Sequence, residues 1–387
     1  MTATFAPLRG TVVLDLSRYL PGPLLTRILA DLGATVVRIE PPGGDTLRHV
    51  PPHQDGVGVS YASLNAGKRS VVLDLKRPEG AAVLHAALAG VDVLVEGFRP
   101  GVLDRFGLSW DALLARHPRL IGVSLSGYGQ AGPDRLKAGH DLSYVARAGL
   151  LGTWGPADGP PAVPGTPLAD VAGGTWPAAL GVLAALLERA QTGRGRHLDV
   201  ALARGAFALG AYGMAAAAVG HAEPRGAGML TGGVPCYRCY ATQDGRHLAV
   251  AALEPPFFDR LCVLVGRPDL QGSGYALGAD GARVQAELEG VFASRPLAAW
   301  LEAVAGEDVC VEPVATPVEA VADPLFSDLV AHVDGRPVVR VPLGVPMTEV
   351  PAPGPLRALG ADGEEALGAL GVDAELVAAA RAAGALG

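Results

Sequence analysis

The stretch TVVLDLSRYLPGPLLTRILADLGATVVRIE, residues 11–40, decides the fold. It opens with β-branched and apolar residues typical of a buried strand. A helical segment follows that begins at a proline and ends at Gly33, since proline suits the first turn of a helix and glycine its end. A second apolar strand closes the stretch. This order of strand, helix and strand predicts an α/β protein.

The same alternation continues to residue 130. The runs SVVLDLK, VDVLVE and RLIGVSLS are typical of strands, and the helices between them cover residues 78–89 and a segment capped by Ser109. We therefore expect a large Rossmann-like domain, a mostly parallel sheet with helices on both faces. Past Gly233 the runs VPCYRCYAT and RHLAVAAL flank an Asp-Gly turn, which predicts a small α+β domain.

The composition of the 387-residue chain excludes several classes of function. Apolar residues make up 49% and charged residues 18%, which is typical of a globular protein and not of a disordered one. The net charge of −8 argues against nucleic acid as a partner, because binding phosphates needs a basic face. The apolar stretch 176–187 is too short to cross a bilayer, and the first residues lack a signal-peptide pattern. We expect a cytoplasmic protein without a membrane partner.

Neither a metal site nor a disulfide framework is expected. The chain has four cysteines, and Cys236 and Cys239 form a C-x-x-C pair without a second pair at zinc spacing. This pair also lies in a strand-like run and not before a helix. We predict no metal and no redox cofactor.

The segment GYGQAG, residues 127–132, matches the G-x-G-x-x-G pattern of dinucleotide-binding loops. That function requires the glycines to open a helix, because the helix N-terminus holds the pyrophosphate. The residues that follow, PDRLKAG, are polar and end in glycine, so no amphipathic helix is expected there. We interpret the segment as a loop at the carboxyl end of a strand, where α/β sheets place ligands.

Three polar residues stand out in apolar or glycine-rich surroundings: His140 in GHDLSY, Asp170 in PLADVAGG and Glu254 in VAALEPPFF. A histidine and a carboxyl on opposite sides of one carbon atom can move a proton between its faces, and histidine titrates near neutral pH. Asp170 has a second possible role as a nucleophile that attacks an activated acyl group. Simpler roles are also open: a structural histidine, and helix N-caps for the two carboxyls.

Longer motifs resemble those of one enzyme family. They are LPGPLLTRILADLGATVVRIEPP, GKRSVVLDLK, EGFRPGVLDRFGL, LSGYGQAGP, GHDLSYVARAG, PLADVAGG, TGRGRHLDVAL, RGAGMLTGGVPCYRCYATQDGRHLAVAALEPPFFDRL and EDVCVEPV. Up to about residue 323, the chain resembles the α-methylacyl-CoA racemases of the family III CoA-transferase (CaiB/BaiF) superfamily.

The resemblance implies a domain plan. The large Rossmann-like domain would span residues 1–220 with a C-terminal return over 325–387, and the linkers and small α+β domain would span 221–324. Two such chains would interlock as a homodimer, with each site between the large domain of one chain and the small domain of the other.

The resemblance also implies roles for residues of the site. His140 and Asp170 would be the acid/base pair, and Glu254 would hydrogen-bond His140. Contacts with CoA are implied for Arg38, Leu73, Asp74, Leu75, Lys76, Gly97, Phe98, Arg99, Arg105, Gly139, Asp141, Leu142, Ser143 and Tyr144. Arginine suits this role because its planar guanidinium binds phosphate oxygens in pairs.

The implied reaction interconverts (R)- and (S)-2-methylacyl-CoA thioesters by 1,1-proton transfer through an enolate. CoA is then part of the substrate, and no separate cofactor is needed. One alternative is a CoA-transferase in which Asp170 is the nucleophile and His140 is not required. Another is an acyl-CoA-binding protein without catalysis. The sequence departs from the family pattern in three places: the motif PLAD, the segment around Ala66 and the absence of a GEHT-like motif. These departures leave the identity of the acyl group open.

Overall fold

The computed structural model describes residues 4–387, which form two compact units. The first unit comprises the described residues up to Ala148, together with Thr166–Leu209 and Pro324–Gly387. The second comprises Gly149–Gly165 and Gly210–Asp323.

The expected boundaries of the domains differ from these units in two places. The boundary at residue 220 falls inside the second unit, which already begins at Gly210. The segment Gly149–Gly165 also belongs to the second unit, although we assigned it to the large domain. Its attachment is explained by Arg225, whose side chain donates hydrogen bonds to the backbone carbonyls of Pro156, at 3.2 Å, and Gly159.

The elements are labelled in chain order. The strands of three or more residues are β1 Val12–Leu16, β2 Thr35–Glu40, β3 Arg69–Val72, β4 Val93–Glu96, β5 Ile121–Ser126, β6 His197–Ala201, β7 Tyr237–Ala241, β8 His247–Ala251, β9 Val311–Pro313, β10 Val330–Val333 and β11 Arg336–Val339; a two-residue pair, His53–Gln54 and Val57–Gly58, forms a separate small hairpin. The helices are α1 Pro21–Asp31, α2 Val59–Asn65, α3 Pro78–Ala87, α4 Val102–Arg105, α5 Trp110–Arg116, α6 Asp141–Arg147, α7 Leu168–Asp170, α8 Trp176–Thr192, α9 Leu202–Leu209, α10 Ala211–Ala218, α11 Pro255–Leu264, α12 Gly278–Phe292, α13 Leu297–Ala303, α14 Pro317–Ala322, α15 Gly363–Ala369 and α16 Ala374–Ala382.

The first unit is built on a six-stranded sheet in the order β3-β2-β1-β4-β5-β6, and every neighbouring pair is parallel. This confirms the expected Rossmann-like sheet. The strand order reverses between β1 and β4, and in such sheets a crevice opens at the carboxyl ends of the strands at this point. The sheet therefore fixes where a ligand site is expected, before any side chain is considered.

The C-terminal segment completes the core of the first unit. Leu14 and Leu94 of the central strands belong to the same buried cluster as Leu367 of α15. The backbone N–H of Asp74 donates to the carbonyl of Ala385 at 2.8 Å, which ties the end of the chain to the residues after β3. Each fully buried leucine of this kind stabilises the fold by about 1.5–3 kcal/mol.

One helical run is longer than we expected. It extends without a break over the 25 residues from Leu168 to Thr192 and contains an 18-residue window with a mean hydropathy of 1.4, so by length and composition alone it could span a membrane. We expected the apolar stretch 176–187 to be too short for this; the helical run is longer because it begins at Leu168 and continues to Thr192. The core helix of a soluble protein meets the same criteria, and Ala178, Val182 and Ala185 of this run are buried.

The second unit has its own core around an antiparallel sheet in the order β9-β8-β7. The Asp244–Gly245 turn joins β7 to β8, and Gly245 has a φ of +72°, which glycine adopts without strain. Behind the sheet, the rings of Phe292 and Trp300 are 5.3 Å apart, and Trp300 Nε1 donates to the Phe292 carbonyl at 2.8 Å. The second unit therefore has the expected α+β architecture.

Candidate active site

A cleft of about 410 Å³ opens in the first unit at the reversal of strand order. Its walls are the loops that follow β1, β4 and β5, together with the start of α6 and the end of α7. We call it the main cleft; its lining includes Ser17, Arg18, Tyr19, Gly97, Phe98, Arg99, Ser126, Gly127, Arg135, Lys137, Gly139, His140, Tyr144 and Asp170. The cleft therefore brings His140 and Asp170, which are far apart in sequence, into one site.

A π-helical turn follows Asp170, the last residue of α7. In this turn, Val171–Thr175, the Trp176 N–H donates to the Val171 carbonyl, five residues back. Pro177 lacks an N–H and cannot continue the ordinary α-helical ladder, which favours the wider turn. The Thr175 hydroxyl donates to the Pro21 carbonyl at 2.8 Å and fixes the turn to the start of α1. Asp170 is thus an internal helical residue and not the helix N-cap of the simpler interpretation.

Small residues let this turn lie directly on α9. A Cβ atom added to Gly205 would lie 1.7 Å from the carbonyl oxygen of Gly173, and one added to Gly174 would lie 2.2 Å from the Leu202 side chain. The glycines of PLADVAGG therefore have a packing role, since they let the turn that follows Asp170 lie close against α9.

The carboxyl of Asp170 is half-buried, and burial raises its pKa to about 6. The neighbouring Asp141 carboxylate contributes to this rise, and His140 opposes it. The backbone N–H of Asp170 also donates to Asp141 Oδ1 at 2.9 Å. A carboxyl with a pKa near neutral pH can both accept and return a proton, which is what acid/base chemistry requires.

His140 is exposed and precedes α6. Its backbone N–H donates to Ser143 Oγ at 3.5 Å, and the Tyr144 hydroxyl donates to the carbonyl of Gly139 at 2.6 Å. A Cβ at Gly139 would lie 2.7 Å from the Tyr144 ring, so glycine is needed for the ring to reach this carbonyl. In the motif GHDLSY, the tyrosine therefore holds the backbone that presents the histidine. Burial, followed by the charge of Asp170, raises the pKa of Tyr144 to about 12, so it remains a donor.

Basic side chains surround the rest of the main cleft. Arg18, Arg99, Arg135 and Lys137 all line it, and the Arg18 guanidinium lies over the Phe98 ring, 5.9 Å from its centre. Only Arg99 was among our predicted contacts. The signal that identifies the others is their position, since they lie in loops that follow strands β1 and β5. These cations suit a polyanionic ligand even though the whole chain is acidic.

The predicted CoA contacts divide into two groups. One group lines the main cleft: Gly97, Phe98, Arg99, Gly139 and Tyr144. Asp141 adjoins this group, because its carboxylate accepts a hydrogen bond from the backbone N–H of Asp170. A second group does not line the main cleft. Leu142 and Ser143 are exposed on α6, and Arg105 is exposed on α4. Asp74, Leu75 and Lys76 follow β3. For these residues a contact with CoA stays a prediction.

Two predicted contacts are corrected by burial. Arg38 is 2% exposed, and its guanidinium forms ion pairs with Asp15, at 3.0 Å, and with Asp45. Leu73 is also 2% exposed and pairs with Leu386 in a β-bridge. Neither side chain has a free face on the main cleft, so both are structural in this structure.

Glu254 lies in the second unit, directly before α11. Its side chain is exposed and does not cap that helix, although its backbone carbonyl accepts the Phe257 N–H at 3.0 Å. The simpler interpretation as a side-chain N-cap is therefore wrong, and the bond to His140 stays a prediction.

Two other motifs of the sequence, the C-x-x-C pair and GYGQAG, lie outside any metal site or nucleotide-binding turn in the described residues. Within residues 4–387, no group of three or more His, Cys, Asp and Glu side chains has the arrangement needed to hold a metal ion. Cys236 is buried and Cys239 exposed, and both are free thiols. The GYGQAG segment forms a loop between β5 and α6, as expected.

The fold is an α/β fold in which a cleft lined by cations, His140 and Asp170 lies at the reversal of strand order. Residues 8–357 match the family model "CoA-transferase family III", and the chain belongs to this family.

Individual relatives show what the chain is similar to. It is 38% identical to the human alpha-methylacyl-CoA racemase over 81% of this chain and 79% of that protein. It is 34% identical to the acetyl-CoA:oxalate CoA-transferase of Acetobacter aceti over 81% of this chain and 82% of that protein. A crystal structure of a CAIB/BAIF family protein from Brucella suis superposes with a TM-score of 0.83 at 28% identity, covering 94% and 99% of the two chains. The family therefore includes both reaction types, racemisation and CoA transfer.

Proposed function

We propose that the chain is an acyl-CoA racemase that interconverts the (R)- and (S)-forms of 2-methylacyl-CoA thioesters. The observation that carries this proposal is the position of His140 beside Asp170 in the main cleft, together with the pKa of about 6 for Asp170. Proton transfer needs two groups that each exchange a proton near neutral pH. A nucleophilic carboxylate needs no partner of that kind.

The reaction follows from these two side chains. In one direction, the ionised Asp170 takes the proton from Cα, and the electron pair of the C–H bond moves onto the thioester oxygen to form an enolate. A protonated His140 then donates its proton to the opposite face of Cα. One conversion leaves Asp170 protonated and His140 neutral, which is the state that the opposite direction uses with the roles exchanged. For a second conversion in the same direction, the pair first exchanges its protons with solvent. The N-terminus of α6 adjoins His140, and the positive end of a helix favours the charge of the enolate.

The nucleotide part of the substrate would bind to the basic wall of the main cleft. Arg18, Arg99, Arg135 and Lys137 would hold the pyrophosphate and 3′-phosphate of CoA. CoA then enters as part of the substrate, and no further cofactor is proposed.

A CoA-transferase is the second candidate, and the identity to the Acetobacter aceti enzyme favours it. In that reaction the Asp170 carboxylate attacks the thioester carbonyl and the CoA thiolate leaves, which forms an acyl-aspartyl anhydride. CoA then attacks the aspartyl carbonyl, the carboxylic acid is released, and the enzyme-bound thioester passes CoA to a second acid. His140 has no required part in these steps.

We further propose a cytoplasmic homodimer that acts in lipid metabolism and in which Glu254 of one chain hydrogen-bonds His140 of the other. This arrangement is the one that the family resemblance implies, and membership of the CoA-transferase family III is its support. Light scattering of the purified protein should give twice the monomer mass of 39.4 kDa. A monomer that racemises its substrate would contradict a shared site.

The deciding experiment follows the α-proton by NMR after the protein is mixed with (R)- or (S)-2-methylacyl-CoA in D2O. We expect deuterium at Cα together with inversion in the wild type. His140→Ala and Asp170→Ala should both lose inversion, and each should keep at most the exchange that its remaining base performs on one enantiomer. His53→Ala is a matched control, because His53 is exposed and lies outside the main cleft. Transfer of CoA to a carboxylic acid, retained in His140→Ala and lost in Asp170→Ala, would establish the transferase instead.

A further inference from the structure

Glu96 is a buried carboxyl beside the main cleft that the proposed reaction does not use. It ends β4, is 3% exposed, and accepts the backbone N–H of Phe98 at 2.7 Å. Phe98 and Arg99 form part of the cleft wall. The Glu96 carboxyl is therefore hydrogen-bonded directly to the backbone N–H of Phe98 in that wall.

Glu96 belongs to a hydrogen-bond chain that crosses three neighbouring strands. Ser124 of β5 hydrogen-bonds the Glu96 carboxyl, and Trp110 Nε1 donates to Ser124 Oγ at 2.9 Å. His197 Nε2 of β6 lies 2.9 Å from the same oxygen. The His197 ring also stacks on Trp110, with ring centres 4.3 Å apart, which holds the chain in place.

The donors and acceptors allow two complete arrangements of protons in this chain. With Glu96 ionised, Ser124 donates to Glu96, and His197 Nε2–H donates to Ser124. With Glu96 protonated, Glu96 donates to Ser124, and the Ser124 hydroxyl turns to His197 Nε2, whose ring proton is then on Nδ1. The net change is one proton taken up from solvent, and each side chain keeps its partner. The hydrogen-bond chain can therefore take up a proton while Glu96, Ser124 and His197 Nε2 keep their partners.

Several charges face Glu96. Burial raises its pKa to about 7 against the lowering effect of its hydrogen bonds from Ser124 and Phe98, and the carboxylates of Asp199 and Asp104 raise it further. Arg99 and Arg135 line both the main cleft and a cavity of about 150 Å³ next to Glu96. Both guanidiniums are exposed, so solvent and salt screen repulsion between Glu96 and a phosphate bound to them. The bond to the Phe98 N–H is buried and is screened much less.

We propose that Glu96 is a positioning residue for CoA binding: as a carboxylate it holds the Phe98–Arg99 wall firmly, and it holds the wall less firmly when the hydrogen-bond chain of Glu96, Ser124 and His197 takes up a proton. A hydrogen bond to a charged acceptor is roughly twice as strong as one to a neutral acceptor, so the wall is held more firmly above neutral pH. The inference rests on CoA binding in the main cleft and not on the choice between racemase and transferase.

The test uses CoA itself as the probe. Its Kd is measured by isothermal titration calorimetry from pH 6 to 8.5 for the wild type, Glu96→Gln and the control Glu375→Gln, whose glutamate is exposed on α16. In Glu96→Gln the amide oxygen still accepts the Phe98 N–H, and the amide nitrogen donates to Ser124, so this variant mimics the protonated state. The 3′-phosphate of CoA titrates near pH 6 as well. The deciding quantity is therefore the ratio of the variant's Kd to that of the wild type at each pH.

We expect this ratio to rise from near 1 at pH 6 to about 3–10 at pH 8.5, with the control indistinguishable from the wild type. In turnover, the change should appear in KM, with kcat within about 2-fold, because the wall binds the nucleotide and not the reacting carbon. A ratio that is constant across the pH range, or that falls as pH rises, overturns the proposal. A wild type that binds no CoA overturns it too, whereas failure of α-proton exchange alone affects only the racemase assignment.

Discussion

The backbone N–H of Asp170 donates a 2.9 Å hydrogen bond to Oδ1 of Asp141, the residue that follows His140. One carboxylate thus links the two halves of the proposed acid/base pair. It also raises the pKa of Asp170, after the larger effect of burial. The neighbour of the histidine therefore sets both the position and the proton affinity of the aspartate.

Replacing Asp141 with Asn should separate these two effects. The amide oxygen of Asn still accepts the Asp170 N–H, but the negative charge is gone, so the pKa of Asp170 should fall. In the direction where Asp170 is the base, the acidic limb of the pH–rate profile should then move to lower pH. Asp141→Ala should also lose the hydrogen bond and reduce kcat by about 10-fold. An acidic limb that does not move in Asp141→Asn would show that this charge does not act on Asp170.

The raised pKa of Asp170 should cost the fold stability at neutral pH. The folded-state pKa of about 6 lies above the unfolded value near 4, so ionisation is less favourable in the folded protein. Stability therefore falls as pH rises from about 4 to 6 and stays lower above that range. Asp170→Asn cannot ionise and should be more stable than the wild type at pH 7.5, by on the order of 1–2 kcal/mol after allowance for solvent exposure. Urea unfolding at pH 4 and 7.5 measures this difference, which should nearly vanish at pH 4; a constant difference would contradict the assignment.

Tyr144→Phe should weaken the presentation of His140. The substitution removes the 2.6 Å bond from the Tyr144 hydroxyl to the Gly139 carbonyl and keeps the ring. We expect a loss of about 1 kcal/mol in the free energy of unfolding and a decrease of about 10-fold in kcat. Tyr212→Phe is the control, because Tyr212 is 75% exposed and lies on α10 of the second unit. A kcat equal to that of the wild type would mean that the hydroxyl does not position the histidine.

The contact between the π-helical turn and α9 predicts that alanine substitutions at two glycines have opposite effects on stability. In Gly205→Ala, the new methyl group would lie 1.7 Å from the Gly173 carbonyl oxygen, so the turn that carries Asp170 must move. We expect a loss of about 2–4 kcal/mol in stability together with most of the activity. Gly213→Ala, on α10 with no atom within 4 Å of the added Cβ, should instead stabilise the protein by about 0.5–1 kcal/mol. Thermal unfolding of both variants provides the comparison, and equal melting temperatures would rule out the tight contact.

The sequence alone was sufficient to predict the parallel sheet and some residues of the candidate site. The run 11–40 predicts β1, α1 and β2 with ends that agree within about two residues, because alternation of apolar strands and capped helices is a local property. His140 and Asp170 were identified from local motifs and from the family resemblance. The rule that parallel sheets place ligands at the carboxyl ends of their strands predicted the loop before His140 as part of a site, whereas the pairing of His140 with Asp170 was implied by the family resemblance.

Only the tertiary structure decided the electrostatics of the site. Asp15 and Arg38 are 23 residues apart, yet they lie opposite each other on β1 and β2 and form a buried ion pair, so Arg38 is not a free phosphate ligand. The cations Arg18 and Lys137 meet in one cleft through strand order and not through sequence spacing. The pKa of Asp170 likewise depends on a packed π-helical turn and on Asp141. Sequence patterns report local conformation, whereas desolvation and charge depend on neighbours that only folding brings together.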